Sequence, residues 1–122
     1  METATHRRIS RLHIPIVARR ESRPSREPGG EGRESRLTIT GAFDATTVTE
    51  VILAIESVVA ERSPRITIDM EQVTLMDSAG ASALRELWMR MRAEQREVVV
   101  VGARDQPLLV LRVLHLDAPL CR

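Results

Sequence analysis

In VTLMDSAGASAL, residues 73–84, a strand gives way to a helix within twelve positions. The first four residues are apolar or β-branched, as in a buried strand; Asp77-Ser78 marks a turn; and the small residues Ala79 to Ser82 open a helix. Asp and Ser are the residue types that accept hydrogen bonds from the open amides of a first helical turn, so either Asp77 or Ser78 is suited to cap this helix. Gly80 allows the backbone to come close to a neighbouring segment. The same junction is where a helix favours negative charge. A phosphate added to Ser78 would be held there without unfolding the turn, placing about −1.5 to −2 charge beside Asp77.

Downstream, Leu84, Leu87, Trp88 and Met91 recur at helical spacing and predict a buried stripe, with Arg85, Glu86, Arg90 and Arg92 on the other side and Glu86 four residues before Arg90. EVVVVG, residues 97–102, reads as a strand whose valines need cover on both faces or a central place in a sheet. After it, Asp105 and Pro107 open a last helix, PLLVLRVLHL at 107–116, apolar almost all round apart from Arg112 and His115. Its surplus apolar surface predicts a meeting with another chain, through self-association of residues 107–116, or with the segment 9–18.

Upstream, RITIDM at 65–70 is a short β-branched strand that follows Pro64. Before it, Val48, Val51, Ile52, Ile55, Val58 and Val59 make an amphipathic helix. RLTITGAFD, residues 36–44, alternates Leu37, Ile39 and Gly41 with Thr38 and Thr40 as a strand does, and Asp44 is placed to cap the helix that follows. Residues 20–35, RESRPSREPGGEGRES, carry Pro, Gly, Ser and charge without a large apolar side chain, which predicts a flexible linker loop. RLHIPIVAR, residues 11–19, alternates like a strand that Pro15 confines to an edge.

Alternation of strands and helices specifies an α/β fold. The expected form is a single mixed, mostly parallel sheet of about four strands, with an edge N-terminal strand and about three helices. The division is a basic segment at 1–19, the linker at 20–35 and one domain at 36–122. Functional sites in such sheets lie beyond the carboxyl ends of the strands, the rim to which Asp44, Asp77 and Ser78 belong.

Composition narrows the chemistry. The 122 residues are 43% hydrophobic, enough for one core, and only 2% aromatic, so a base-stacking platform for single-stranded nucleic acid is absent. Nine Arg against five acids make residues 1–36 basic, and nine Arg against twelve acids make residues 37–122 acidic. The acids interspersed among the arginines of the tail favour a solvated linker over direct nucleic-acid binding. The chain contains no Lys, which removes Schiff-base chemistry, a phosphate-loop lysine and the lysine of a phospho-aspartyl receiver, even though Asp69 stands near a strand end. His6, His13 and His115 supply no plausible base for Ser78, and no Gly-x-Ser-x-Gly elbow or Gly-rich phosphate loop is present. No catalytic residue, cofactor or metal is assigned, and the protein is read as a non-enzyme. A lone Cys121, no apolar window long enough to span a membrane and no signal peptide point to a reducing, cytoplasmic setting.

TGAFD (40–44), ITIDMEQVTLMDSAG (66–80) and VVVVGARDQPLLVLRVLHL (98–116) together resemble the STAS domain, typified by bacterial anti-sigma factor antagonists. The resemblance covers most of residues 36–120. It implies that Ser78, directly after Asp77, is the target of an anti-sigma factor that is also a serine kinase. By the same resemblance the unphosphorylated form binds that partner and so frees a sigma factor, and phosphorylation breaks the complex. The partner-binding residues it implies are Asp44, Asp77, Ser78, Ala79, Gly80 and Ser82. Where the family often has Leu-Gly after the motif's glycine, this chain has Ala81-Ser82, and the family's further C-terminal strand and helix are shortened here. The alternatives within the same fold are a STAS accessory subunit of a membrane transport ATPase, or a STAS interaction module that is not phosphorylated.

Overall fold

The computed structural model of the chain describes residues 19–24 and 33–121. The elements follow one another as β1 Arg19–Pro24, β2 Arg33–Phe43, α1 Val48–Val59, β3 Arg65–Met76, α2 Ser78–Ala93, β4 Glu97–Val101, α3 Asp105–Val113 and α4 Asp117–Leu120. One sheet runs in the order β1-β2-β3-β4, with β1 antiparallel to β2 and β2, β3 and β4 parallel. This is the mixed, mostly parallel α/β sheet with its first strand at an edge. α4, a single turn, adds to the three expected helices, and beyond it Cys121 bridges Val100 in parallel, one rung on the outer side of β4.

The linker expected at 20–35 needs correction. Arg19–Pro24 is a strand, and β2 begins at Arg33, so both flanks of that stretch are paired. Strand pairing is made by backbone groups, and β1 carries no apolar alternation for a sequence reading to detect. Ser35 is buried, its hydroxyl meeting Ser63 Oγ at 2.5 Å and donating to Glu61 Oε1 at 2.8 Å, which is core behaviour rather than loop behaviour. The edge strand expected at 11–19 lies outside the described residues except for Arg19, where β1 starts.

The core is aliphatic, as the scarcity of aromatic residues requires. Leu37, Ile39 and Phe43 of β2, Ile66, Ile68, Met70 and Met76 of β3, and Val98 and Val100 of β4 meet Val51 and Ile55 of α1 and Ala81, Leu84 and Met91 of α2. The buried run Ile66-Thr67-Ile68, like Val98-Val99-Val100, shows that both sides of these strands are covered. Two expectations for α2 change. Trp88 is half-buried, with the Arg92 guanidinium 5.5 Å from its ring centre, and Arg90 pairs with Glu56 of α1 at 2.7 Å instead of Glu86. α1 and α2 pack together, so a carboxylate across the helix–helix seam is as available as one on the same helix.

β3 continues well past the end of β4. Only Arg65–Asp69 pairs with β4, whereas pairing with β2 runs on to Met76 opposite Phe43. Two register shifts against β2, between Thr38 and Thr40 and between Gly41 and Ala42, insert extra residues into β3. Side chains there consequently turn inward every third position, at Met70, Val73 and Met76. At the first bulge Asp69 accepts from the Glu71 N–H at 2.9 Å and pairs with Arg36 at 2.9 Å. Gly102, at φ 78°, lets the chain leave β4 across this bulge, where a Cβ would stand 2.9 Å from the Glu71 nitrogen.

Candidate functional site: the rim at Asp77-Ser78

The carboxyl ends of β2 and β3 lie side by side, and Asp77 joins the two loops that leave them. Its Oδ1 accepts from the Ala79 N–H at 2.9 Å and the Gly80 N–H at 3.1 Å, so Asp77 is the N-cap of α2. Its Oδ2 accepts from the Ala45 N–H at 3.1 Å in the loop after β2, and its own N–H donates to the Phe43 carbonyl at 3.4 Å. One carboxylate thus accepts from three amides across the junction, one more than the two lone pairs of a hydroxyl allow.

With Asp77 doing the capping, Ser78 is left for other work. It is the first residue of α2, exposed, and its hydroxyl has no hydrogen bond among the described residues. Ser82, one turn further along the same face, is also exposed, and Ala79 is half-buried between the two. Gly80 is buried, so its place in the site is structural rather than a contact for a visitor. A Cβ there would stand 2.4 Å from the Phe43 carbonyl oxygen. The absence of a side chain is what allows α2 to start so close to the end of β2.

Asp44 does not cap α1 as expected. Its Oδ1 accepts from the Thr46 N–H at 2.9 Å and the Thr46 hydroxyl at 2.6 Å, building a turn before the helix, while the N-cap position falls on Thr47. The Asp44 side chain closes this turn two residues on, which competes with direct capping for the same carboxylate. The Thr46 hydroxyl, ahead of the neighbouring amides, holds the Asp44 carboxyl below its ordinary range, so it is anionic at neutral pH. Thr47 is buried and ties the turn down by donating to the Ala42 carbonyl at 2.8 Å.

Beside Ser78 runs a groove of about 390 Å³, lined by Met76 and by Leu109, Val110, Val113 and Leu114 of α3 and the residue after it. Leu109 is 58% and Val113 66% exposed, so the apolar surplus read from PLLVLRVLHL is real, though α3 ends at Val113 rather than 116. The rim therefore combines a carboxylate pair, a free hydroxyl and an apolar ridge. The ridge was legible only as excess hydrophobicity; Ala45 and Gln106, whose contacts fix the junction, carried no signal.

The model of the STAS_2 family, described as Mlab, STAS domain, matches residues 28–122, and the chain belongs to that family. No curated protein matches it. Among solved structures it is similar to an anti-sigma factor antagonist from Mycobacterium paratuberculosis, at 20% identity and TM-score 0.69, over 88% of this chain and 86% of that one. It is similar to the Bacillus cell fate determinant SpoIIAA in its phosphorylated form, at 15% identity and TM-score 0.62, over 87% and 91%. It is also similar to a sulfate transporter family protein from Wolinella succinogenes, at 17% identity and TM-score 0.61, over 72% and 75%. At these identities the likeness establishes a shared fold. No helix among the described residues is long and apolar enough to cross a membrane.

Proposed function

We propose that the protein is a cytoplasmic anti-sigma factor antagonist. Unphosphorylated, it binds an anti-sigma factor that is also a serine kinase, and phosphorylation of Ser78 releases it, so that the pair controls sigma-factor-dependent transcription. The observation that carries this reading is the exposed Ser78 hydroxyl, free of partners among the described residues and held at the start of α2 by a carboxylate that does the capping in its place. In the transfer the Ser78 oxygen bonds to the γ-phosphorus of ATP, the bond to ADP breaks and the hydroxyl proton leaves to a base of the kinase. The product places about −1.5 to −2 charge next to Asp77. It also puts a strongly hydrated group at the mouth of an apolar groove, so a partner seated on the Leu109–Val113 ridge loses both charge match and burial.

The docking surface in this reading is Asp44, Asp77, Ser78, Ala79 and Ser82 together with the ridge of α3. Self-association through the exposed part of residues 107–116 would use the same ridge, and sedimentation of the full chain tests it: a monomer at millimolar concentration rejects it. The protein acts as a binding module, not as an enzyme.

The test is incubation with a candidate anti-sigma kinase and ATP, followed by peptide mass spectrometry. One phosphate on Ser78 and weaker binding by Ser78→Asp are expected; no modification together with unchanged binding by Ser78→Asp rejects the switch. A second reading, an accessory subunit of a membrane transport ATPase, draws support from the likeness to the sulfate transporter family protein. Co-purification with an ABC-type ATPase in place of a kinase-type one would favour it.

A further inference from the structure

The side chain of Gln106 makes both outward-facing backbone hydrogen bonds of Met76. Its Oε1 accepts from the Met76 N–H at 2.8 Å, and its Nε2 donates to the Met76 carbonyl at 2.9 Å. On this side β4 ends opposite Asp69, so no strand reaches Met76. A carboxamide from α3 stands in for the missing peptide group, and Met76 is the residue directly before Asp77-Ser78.

We propose that Gln106 is the positioning residue for Ser78, setting its height against the apolar ridge of α3. The inference rests on the reading of Ser78 as phosphoacceptor. Among the described residues the junction is otherwise tied to its neighbours in the sheet and helix: to the loop after β2 through Ala45 and Phe43, and to α2 through Asp77. Among the described residues, the hydrogen bonds of Gln106 connect the junction to α3. Ser78 and the Leu109–Val113 ridge line one groove but belong to elements separated in the chain by β4. A partner that touches both needs them in fixed register, and the Gln106 clamp supplies it.

The chemistry of the clamp is specific. Met76 offers one donor and one acceptor, and an amide is the uncharged group that answers both. Leu at 106 would leave both unpaired. A carboxylate there would still accept from the N–H but would face the carbonyl with a second acceptor. A protonated carboxyl, with one donor and one acceptor, would restore the pair. The clamp therefore predicts an unusual pattern: Gln106→Glu resembles the wild type below the pKa of the new carboxyl, ordinarily about 4.3, and departs from it above.

The experiment compares full-length wild type, Gln106→Leu and Gln106→Glu by amide hydrogen exchange and two-dimensional NMR, then by phosphorylation kinetics with the kinase that modifies Ser78. Expected in Gln106→Leu are a loss of Met76 N–H protection of about tenfold or more, as for a buried donor left unpaired, and a shifted Ser78 resonance. Ile66 to Ile68 in the same strand should stay protected. The kcat/KM for Ser78 should fall about tenfold, through KM and kcat together. In Gln106→Glu the Ser78 resonance should return to its wild-type position in acid. If Gln106→Leu does not fold, the pH recovery of Gln106→Glu decides the matter by itself. Unchanged Met76 protection, an absent pH recovery, or a normal kinase rate despite a shifted Ser78 each overturns the proposal. If no kinase modifies wild-type Ser78, the phosphoacceptor reading fails, and the exchange and NMR results still establish or reject the positioning.

Discussion

The two halves of β3 are built on different terms. From Arg65 to Asp69 the strand is paired on both sides, and its residues 66 to 68 are buried in succession. From Glu71 to Met76 it keeps only β2, is bulged twice, turns one residue in three inward, and ends on the Gln106 clamp. The first half has its backbone hydrogen bonds satisfied by other strands and contributes mainly packing. The second half gives up a neighbouring strand, and that opening is the space in which α3, the groove and the Asp77-Ser78 junction assemble. The open rim is made by letting one strand outrun its neighbour.

The sharpest way to break this contrast is a truncation in each half. Ile68→Ala, in the doubly paired half, should cost about 4 kcal/mol in urea unfolding, as for other large-to-small core changes, while the folded fraction keeps Ser78 competent. If it costs under about 1 kcal/mol, the amino half is not the packed half. Next in size, Gly80→Ala forces a Cβ against the Phe43 carbonyl and should cost about 2 kcal/mol by overpacking, and because α2 must move away it should also impair partner binding. Asp77→Ala removes the cap and the tie to Ala45 together, and about 1.5 kcal/mol is expected by thermal or urea denaturation. Ser78→Ala, one residue on, should change stability by no more than about 0.5 kcal/mol while abolishing phosphate incorporation. A cost near that of Asp77→Ala would make the hydroxyl a cap and undo the division of labour between the two residues.

The smallest effect concerns pH. The folded-state pKa of Asp44 lies below its ordinary value because the Thr46 hydroxyl and amides bind the ionised form. Its contribution is therefore present above the unfolded pKa, about 3.9, and is lost as pH falls through the lower, folded value. NMR titration of Asp44 should show the depressed midpoint, and Thr46→Val should bring it back towards normal. At the other end of the chain, burial pushes the Cys121 thiol above its usual range, ahead of the smaller effect of Asp117. Alkylation at neutral pH should consequently be slower than for a free thiol.

Much of the fold was legible because periodicity is a property of side chains. Val48 to Val59 and Leu84 to Met91 announced helices facing a core, and the valines of β4 announced a covered strand. β1 escaped because pairing in Arg19–Pro24 is made by backbone atoms and leaves no apolar trace. The apolar run Val73 to Met76, which reads as a buried strand, turns only Val73 and Met76 inward, since bulges change the inward period from two to three, and bulges depend on the partner strand. Asp44 failed as a cap because the amide and hydroxyl of Thr46 take its carboxylate, and a short polar cluster offers several local closures that sequence alone does not rank.

At the rim the division is similar. Sequence alone determined that an acid and a hydroxyl would stand at a strand-to-helix junction, that the neighbouring glycine would meet something close, and that the last long helix would carry more apolar surface than one buried face can use. These follow from residue type and spacing within a dozen positions. Tertiary structure decided which residue caps and which is free, what Gly80 approaches, and that Gln106, thirty residues further along, closes the end of β3. Those are pairings between donors and acceptors far apart in the chain, and only the folded backbone brings them within hydrogen-bond reach.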